Sequence, residues 1–522
     1  MKHRELYLLG LLPFLWKGCN WVTVEKEAAL PNVIYVFPDQ MRNHAMGFWN
    51  EPEYRKYVSF TGDPVHTPNL NRFAKESVVL TSAMSNCPLS SPHRGSLLTG
   101  MYPENSGVSL NCNSNRPVSS LRENVVCIGD VYKKAGYDCA YIGKLHVDFP
   151  TPNNPQAPGQ YVEDLVTVWD AYTPPERRHG FDYWYSYGTY DVHKQPHYWD
   201  TDGNRHEIKE WSPKHETDKA IAYLRNEGKV RDEEKPFFMM ISYNPPHSPY
   251  QSLDDCMEED YNLYKEIPLK DLLIRPNVDT SMQKAACVRY YFASVTGVDR
   301  EFGRILEELK RLKMEENTIV VFTSDHGETM CSQGINDPKN SPYIESMNVP
   351  FMVRYPAKVK PRVDDELLLS TPDIMPTLLG LAGLDGEIPV TAEGRNYAGW
   401  FIRKERSIPV REAALYIKNA DGKRDEDNKV ISYFPVSRGI KTKEYTLALS
   451  IDKETHELEN ILLFNDKEDP YQLINLPAEE NKDLILSLCS ELLPLLKEAD
   501  DPWYNEEIFR QALSEWIPYD RP

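Results

Sequence analysis

Short apolar runs alternate with helical patterns from Pro31 to about Trp400, and this alternation limits the chain to few folds. Strands separated by helices favour a parallel sheet, because a parallel connection must cross back over a sheet face. The predicted strands are Asn32–Phe37, Cys139–Ile142, Phe237–Ser242, Ile319–Thr323 and Phe351–Arg354. The predicted helices are Ala285–Leu312, Thr371–Ala382 and a run that follows Ser90. We therefore expect an α/β fold with a large central, mostly parallel sheet between layers of helices.

The pattern changes beyond about Glu405, where short strands follow one another without helices between them. These strands are Ala414–Ile417, Lys429–Phe434, Tyr445–Ser450 and Ile461–Phe464, with a helix predicted at Glu479–Ala499. A chain of 522 residues is also too long for one small core. We predict an α/β domain at 28–404 and a smaller C-terminal subdomain at 405–522, in which an antiparallel sheet packs against a helix.

The net charge of −20 argues against a nucleic-acid-binding protein, because such proteins present a basic surface to phosphates. It does not exclude a small anionic ligand, since charges are screened over about 8 Å at physiological salt. An acidic protein can therefore hold an anion in a locally positive pocket.

The N-terminus has the pattern of a secretory signal, a basic start followed by the apolar run Leu6–Trp16. This run is too short to span a membrane. Gly18-Cys19 resembles a bacterial lipoprotein cleavage site, so residues 1–19 are either a lipoprotein signal, with a lipid anchor at Cys19, or part of a plain signal peptide cut further on. We expect export to the periplasm or to the outer membrane of a bacterium. The nine cysteines form no paired motif, and spacing leaves their pairing open.

Polar residues follow four of the predicted strands directly, at the ends where open α/β sheets bind ligands. They are Asp39 and Gln40, Lys144 and His146, His247, and Asp325 and His326. A single aspartate at a strand end is more often a turn cap. Four strand ends that carry acids, histidines and a lysine are harder to explain in that way, so we expect these side chains to meet in one site.

The segment Ser90–Gly100 reads SSPHRGSLLTG and places a hydroxyl group four residues before Arg94. Pro92 lies near the expected helix start, where its fixed φ and missing N–H cost little. Free N–H groups and the helix dipole at such a start favour an anion. The simpler interpretation is that the serines only cap the helix.

The whole segment resembles the signature of the formylglycine-dependent sulfatases, C/S-x-P-S-R-x-x-L-L-T-G, a family of the alkaline phosphatase superfamily. The resemblance implies that Ser90 is the residue converted to formylglycine. His93 departs from the pattern, since the family usually has serine there. Cys87 has proline and arginine at the wrong spacing, and we interpret it as structural.

The resemblance also implies a metal site and an anion site. The metal ligands would be Asp39, Gln40, Ser90, Asp325 and His326. The family usually has Asp-Asp and Asp-Asn at the two strand ends, so Gln40 and His326 are departures that can still coordinate. Oxygen ligands suit a hard cation, and we expect Ca²⁺, with Mg²⁺ as the alternative. Arg94, Lys144 and Lys339 would hold the modified residue and the sulfate.

Two histidines have catalytic roles in this interpretation. Hydrated formylglycine at Ser90 would attack sulfur, while His247, aided by Lys339, protonates the departing sugar oxygen. His146 would then accept the proton whose loss releases sulfate. The alternative for either histidine is a hydrogen-bonded structural role.

Substrate selection is less specific in the sequence. Aromatic residues are dense from Gly180 to Trp199, and sugar rings stack on such side chains, although core packing explains them equally well. The candidate substrate-binding residues are Asn111, Arg116, His193, His197 and Trp199.

These features together predict an exported bacterial sulfatase that acts on sulfated carbohydrates. The resemblance to the family implies that a radical-type maturase, which accepts serine, converts Ser90. Two alternatives stay open. One is a phosphate or phosphonate ester hydrolase that uses unmodified Ser90, and the other is a non-catalytic lipoprotein that binds sulfated glycans.

Overall fold

Two β-sheets and the helices around them make up the computed structural model, which describes residues 30–150, 167–170, 172–403 and 408–514. The strands of the large sheet are β1 Asn32–Val36, β2 Val78–Met84, β3 Asp138–Lys144, β4 Tyr183–Tyr187, β5 His197–Asp200, β6 Arg205–Glu207, β7 Phe237–Ser242, β8 Thr318–Thr323, β9 Phe351–Arg354 and β10 Arg362–Ser370. Those of the small sheet are β11 Ala413–Asp421, β12 Tyr433–Thr442, β13 Tyr445–Ile451 and β14 Leu458–Asn465. The helices are α1 Pro52–Arg55, α2 Pro68–Lys75, α3 Ser90–Thr99, α4 Pro103–Ser106, α5 Ile128–Lys134, α6 Ser212–Leu224, α7 Glu258–Tyr261, α8 Leu269–Leu272, α9 Val288–Arg311, α10 Ile344–Met347, α11 Ile374–Leu381, α12 Ala398–Arg403, α13 Lys482–Glu498, α14 Pro502–Asn505 and α15 Ile508–Ala512.

The large sheet has ten strands in the order β10-β2-β9-β8-β1-β7-β3-β4-β5-β6. Its centre, from β8 through β1, β7 and β3 to β4, is parallel throughout. β9 runs antiparallel to both of its neighbours, and β5 and β6 extend one edge in antiparallel pairs. The expected α/β fold with a mostly parallel central sheet is confirmed.

The central strands are buried on both faces, as the helix layers require. In β1 and the residue after it, Val33, Tyr35 and Phe37 join one hydrophobic cluster with residues of α3 and α11. Ile34 and Val36 join the other cluster, on the opposite face, with residues of α9. Strand side chains alternate between faces, so one strand supplies both cores.

The small sheet is antiparallel in the order β11-β12-β13-β14, and α13 packs on it. The predicted strand at Lys429–Phe434 is wrong, because the strand β12 begins only at Tyr433 and runs to Thr442. The strand was misplaced because its centre is polar. Arg438 in β12 is fully buried and pairs with Asp501 at 2.6 Å and Glu104 at 3.0 Å. A buried ion pair that joins the two parts of the chain cannot be read from local hydrophobicity.

Several predictions from the sequence fall outside the described residues. They are the signal at 1–19 with its lipid anchor at Cys19, and the boundary between 404 and 405. Within the ranges that the structure describes, no helix has the length and apolar character needed to cross a membrane. The cysteines in these ranges are unpaired.

Candidate active site

The carboxyl ends of four adjacent strands bring the polar residues together at one edge of the large sheet. Asp39 follows β1, Lys144 ends β3, His247 follows β7 and Asp325 follows β8. These strands are neighbours in the order β8-β1-β7-β3, so their following residues lie side by side. The polar residues at these four strand ends therefore lie close together, as we expected from the sequence.

Ser90 is the first residue of α3, and the helix aims its hydroxyl at this edge. Its Oγ lies 3.3 Å from Asp39 Oδ1 and 3.1 Å from His326 Nε2. Leu89, not Ser90, is the N-cap residue, and no side chain makes a capping bond there. The capping interpretation of Ser90 is therefore wrong. The helix ends at Thr99, and its C-cap residue Gly100 has a φ of +69°, the left-handed conformation that glycine adopts at low cost.

Arg94 lies one helical turn after Ser90 and binds two of the carboxylates. Its guanidinium contacts Asp39 Oδ2 at 3.0 Å and Asp325 Oδ2 at 3.2 Å, and it donates to the carbonyl of Lys144 at 2.9 Å. Burial disfavours the charged guanidinium, but Asp325 and Asp39 raise the pKa of Arg94 above its ordinary value. The arginine is a fixed positive charge paired with Asp39 and Asp325, and we call these buried charged residues, together with Lys144, the floor of the site.

Lys144 is a second buried cation in the cluster. Its Nζ lies 2.7 Å from Asp39 Oδ2 and donates to Asn244 Oδ1 at 3.2 Å. Burial lowers the pKa of the Lys144 ammonium from its ordinary value, although Asp39 opposes this shift. Burial acts in the other direction on Asp39, yet Lys144, His247 and Arg94 hold the pKa of that carboxyl well below its usual range.

The donor set beside Ser90 fits a hard divalent cation. Ligand atoms of Asp39, Asp325 and His326 all lie within 4.8 Å of one another. His326 Nδ1–H donates to the carbonyl of Gly327 at 3.0 Å, so the lone pair of the ring is on Nε2, which faces Ser90 Oγ and is oriented as in metal-bound histidines. Among the described residues, the buried Oε1 of Gln40 has no hydrogen-bond partner. A buried amide oxygen without a partner is costly unless a cation takes that place.

His247 and Lys339 form a hydrogen-bonded pair. Lys339 Nζ lies 2.7 Å from His247 Nε2, and His247 Nδ1–H donates to the carbonyl of Ser248 at 2.6 Å. Burial, then the charges of Lys339 and Lys144, hold the pKa of His247 well below its ordinary value. The imidazole is therefore neutral when the cleft holds no anion, and it accepts a proton of Lys339 in a hydrogen bond.

His146 has one ring nitrogen available for a proton. Its Nε2–H donates to the carbonyl of Cys112 at 3.0 Å, and no described residue contacts Nδ1 through a hydrogen bond. Burial, followed by the charges of Lys144 and Arg94, lowers the pKa of His146 well below its ordinary value. A neutral histidine with an open acceptor nitrogen suits a general base.

Five of the predicted catalytic residues meet at one cleft of about 540 Å³. Ser90, Lys144, His146, His247 and Lys339 line it. The sites inferred for the nucleophile, the cations and the two histidines thus share one space.

The predicted substrate-binding residues are placed in different ways. Asn111 lines the cleft, and its Oδ1 accepts the N–H of Ser91 at 3.1 Å. Arg116 turns to the small sheet and pairs with Asp421 at 2.9 Å. The others, His193, His197 and Trp199, are not among the residues that line the cleft, although His197 Nε2 binds the cleft residue Asp170.

The wall of the cleft contains residues that the sequence did not single out. Trp169 is 40% exposed there, and Asp170 beside it accepts the N–H of Gly188 at 2.6 Å. Thr189, Tyr190 and Asp191 also line the cleft, and they belong to the aromatic segment Gly180–Trp199 that the sequence indicated. The adjacent tryptophan and aspartate are a weak sequence signal of sugar binding, but neither follows a predicted strand.

This fold and site place the molecule among the alkaline phosphatase-like hydrolases, and the chain belongs to the sulfatase family. Residues 31–384 match the family model described as Sulfatase. Residues 334–498 match the model described as N-sulphoglucosamine sulphohydrolase, C-terminal. The prediction of a sulfatase that hydrolyses sulfate esters is confirmed.

Particular relatives cover nearly the whole chain. The chain is 65% identical over 511 residues to the endo-4-O-sulfatase of Bacteroides thetaiotaomicron. The match covers 98% of this chain and 100% of that protein. It is 32% identical to an ulvan-active sulfatase of Formosa agariphila, over 93% of this chain and 85% of that one. A solved structure described under the metabolism of multiple glycosaminoglycans by Bacteroides thetaiotaomicron has a TM-score of 0.91 and 66% identity, covering 94% of this chain and 100% of the other.

Proposed function

We propose that this sulfatase removes 4-O-sulfate groups from within sulfated polysaccharide chains, with Ser90 converted to formylglycine and a calcium ion beside it. The observation that carries the proposal is the position of Ser90 Oγ, 3.3 Å from Asp39 and 3.1 Å from His326 at the floor of the cleft. The relative that is 65% identical is named an endo-4-O-sulfatase. This name supports both the 4-O position of the sulfate group and its removal from within the polysaccharide chain.

The charges of the cleft suit a sulfate monoester. Lys144 and Lys339 both line the cleft beside Ser90, and Arg94 lies beneath them. Fixed cations aimed at the sulfate oxygens stabilise charge that develops in the transition state, and such electrostatic stabilisation is usually the largest contribution to catalysis. The overall negative charge of the protein does not oppose this, because the cations are local.

Ser90 alone cannot complete a cycle, because a sulfated serine would be a stable ester. Hydrated formylglycine supplies one hydroxyl group for attack on sulfur and a second whose deprotonation expels sulfate. Asp39, Gln40, Asp325 and His326, with the modified residue 90, would hold the cation, which supplies Lewis-acid charge stabilisation.

His247 and His146 divide the proton transfers. Lys339 can pass a proton to His247 Nε2. Burial and then the nearby cations lower the pKa of His247, and the negative charge of a bound sulfate ester offsets the contribution of the cations. His247 can then protonate the departing sugar oxygen. His146 stays neutral and accepts a proton at Nδ1, since its Nε2–H is held by Cys112. One cleft thereby holds an acid and a base at the same pH.

A polysaccharide substrate agrees with the wall of the cleft. Trp169 offers an aromatic face of the kind on which sugar rings stack, and Asp170 and Asp191 offer acceptors for hydroxyl groups.

We also propose that the protein is exported, with a lipid anchor at Cys19, and is matured by a radical-type enzyme. The basic and apolar start, Gly18-Cys19 and the serine at position 90 support these points. Mass spectrometry of the N-terminal and Ser90 peptides from the native host tests both. Diacylated Cys19 and a formylglycine at residue 90 are expected, and an unmodified seryl residue in fully active protein contradicts the mechanism.

The substrate is tested with a matched pair of glycosaminoglycan polymers that carry sulfate at O4 or at O6 of the hexosamine. We expect sulfate release from intact O4-sulfated polymer and little from the O6-sulfated one. Equal release from both, or release from chain ends alone, contradicts the proposal.

Chelation should lower the rate and Ca²⁺ should restore it, and full activity in verified metal-free protein removes the cation from the mechanism. An aryl phosphate serves as the control for a phosphatase.

A further inference from the structure

Glu328 lies behind Gln40 and is fully buried. Its Oε2 accepts the Nε2–H of Gln40 and, at 2.8 Å, the hydroxyl of Tyr250. Its Oε1 accepts the backbone N–H of Met330 at 2.8 Å. The nearby cation Arg42 binds the backbone carbonyl of Glu328 at 3.3 Å, and its Nε pairs with Asp63 at 2.7 Å. Apart from Gln40, the carboxylate is thus held by Tyr250 and Met330, which do not belong to the proposed cation site.

This arrangement fixes which end of the Gln40 amide is free. A carboxylate accepts hydrogen bonds and does not donate them, so the NH₂ group of Gln40 must face Glu328. The other end, Oε1, is buried and has no hydrogen-bond partner in the part of the chain that the structure describes. The backbone N–H of Gln40 donates to Asp325 Oδ1 at 3.0 Å, which holds the residue beside the acidic cluster.

We propose that Glu328 is a positioning residue that reserves the amide oxygen of Gln40 for the cation and increases the negative charge on it. A hydrogen bond from the NH₂ group to a carboxylate polarises the amide, and buried chains of such bonds strengthen one another. Partners of metal ligands in other proteins act in this way, and their loss typically costs about 10–100-fold in metal affinity. The inference rests on the proposed function, because it assumes a divalent cation at Asp39, Gln40, Asp325 and His326.

Glu328→Gln keeps the shape of the side chain and removes its charge. The new amide has one acceptor oxygen, whereas both Gln40 and Met330 donate to residue 328. If the oxygen of the new amide accepts the N–H of Met330, its NH₂ group faces Gln40. Two NH₂ groups would then face each other, so the Gln40 amide rotates and Oε1 leaves the cation site. We expect the dissociation constant for Ca²⁺ to rise about 10–100-fold. Calorimetric titration of the metal-free full-length chain measures it, together with the Ca²⁺-dependent shift of the melting temperature, and neither depends on turnover.

Two further variants separate orientation from general damage. Tyr250→Phe removes another donor from the same carboxylate but leaves the contact with Gln40, so its calcium affinity should stay close to that of the wild type. The exchange Gln40→Glu with Glu328→Gln places the charge on the ligand and the amide behind it, and it should regain most of the affinity.

Each outcome decides the inference. Unchanged affinity in Glu328→Gln overturns it, and so does an equal loss in Tyr250→Phe or no recovery in the exchange. If the wild-type chain itself binds neither Ca²⁺ nor Mg²⁺, the metal part of the proposed function fails as well. Only binding by the wild type, a loss in Glu328→Gln and recovery in the exchange support the role of Glu328.

Discussion

The charged floor of the cleft and its exposed wall are built in opposite ways. On the floor, the side chains of Asp39, Arg94 and Lys144 are at most 1% exposed and hold one another through ion pairs at strand and helix ends. On the wall, Trp169 is 40% exposed and the Asp191 side chain 68% exposed, and both lie in loops. Rigid elements position groups more accurately than loops do, whereas loops vary more readily. Under the proposed function, the buried floor would carry the sulfate chemistry and the exposed loops would select the sugar.

The largest effect is expected on the floor, at Ser90. Ser90→Ala should reduce sulfate release to the background rate, because no other hydroxyl group occupies the place between Asp39 and His326 among the described residues. Ser96→Ala is the matched control in the same helix, since the buried Ser96 hydroxyl has no described hydrogen-bond partner, and it should remain active. Turnover by Ser90→Ala at the wild-type rate refutes the nucleophile.

His247→Ala tests the division between leaving-group chemistry and binding. We expect kcat on the polysaccharide to fall about 10²–10⁴-fold, the usual value of general acid help. An aryl sulfate has a leaving oxygen that needs less protonation, so the loss should be much smaller with that substrate. Equal losses with both substrates argue against His247 as the acid.

Trp169→Ala tests the wall. Loss of a stacking face should raise KM for the polysaccharide about tenfold, since aromatic contacts contribute about 0.5–1.5 kcal/mol beyond their area. The kcat value and the turnover of a small aryl sulfate should change little. Trp199→Phe is the control, because Trp199 is buried behind the wall and does not line the cleft. A fall in kcat with unchanged KM contradicts the comparison.

The smallest effect on activity is expected at His193, which is buried outside the cleft. Burial lowers the pKa of His193 to about 4, while the unfolded chain has its ordinary value of about 6.5. The unfolded state therefore binds more protons between these values, and the group removes about 1.4 kcal/mol of stability per unit as pH falls from 6.5 to 4. His193→Phe should keep its activity and lose less unfolding free energy on acidification than the wild type. Parallel curves of stability against pH contradict the prediction.

Local patterns were sufficient for four strands of the parallel centre, β8, β1, β7 and β3, and for the polar residues at their ends. The apolar runs at β1, β7 and β8 are continuous, so their position and the polar residues after them are visible in one dimension. The strands β4, β5 and β12 contain tyrosine, histidine or arginine and were missed or misplaced. The reversed direction of β9 follows from its neighbours and not from its own residues.

The sequence by itself determined the family and the residue types of the floor, because the signature segment and the polar residues at the strand ends have a fixed spacing along the chain. Only the tertiary structure decided which atoms lack a hydrogen-bond partner among the described residues, namely Nδ1 of His146 and Oε1 of Gln40. These depend on partners far away in the chain, such as Cys112 for His146 and Glu328 for Gln40. A hydrogen bond between distant residues leaves no periodic trace, so the wall and the orientation of the ligands emerge only when the chain is folded.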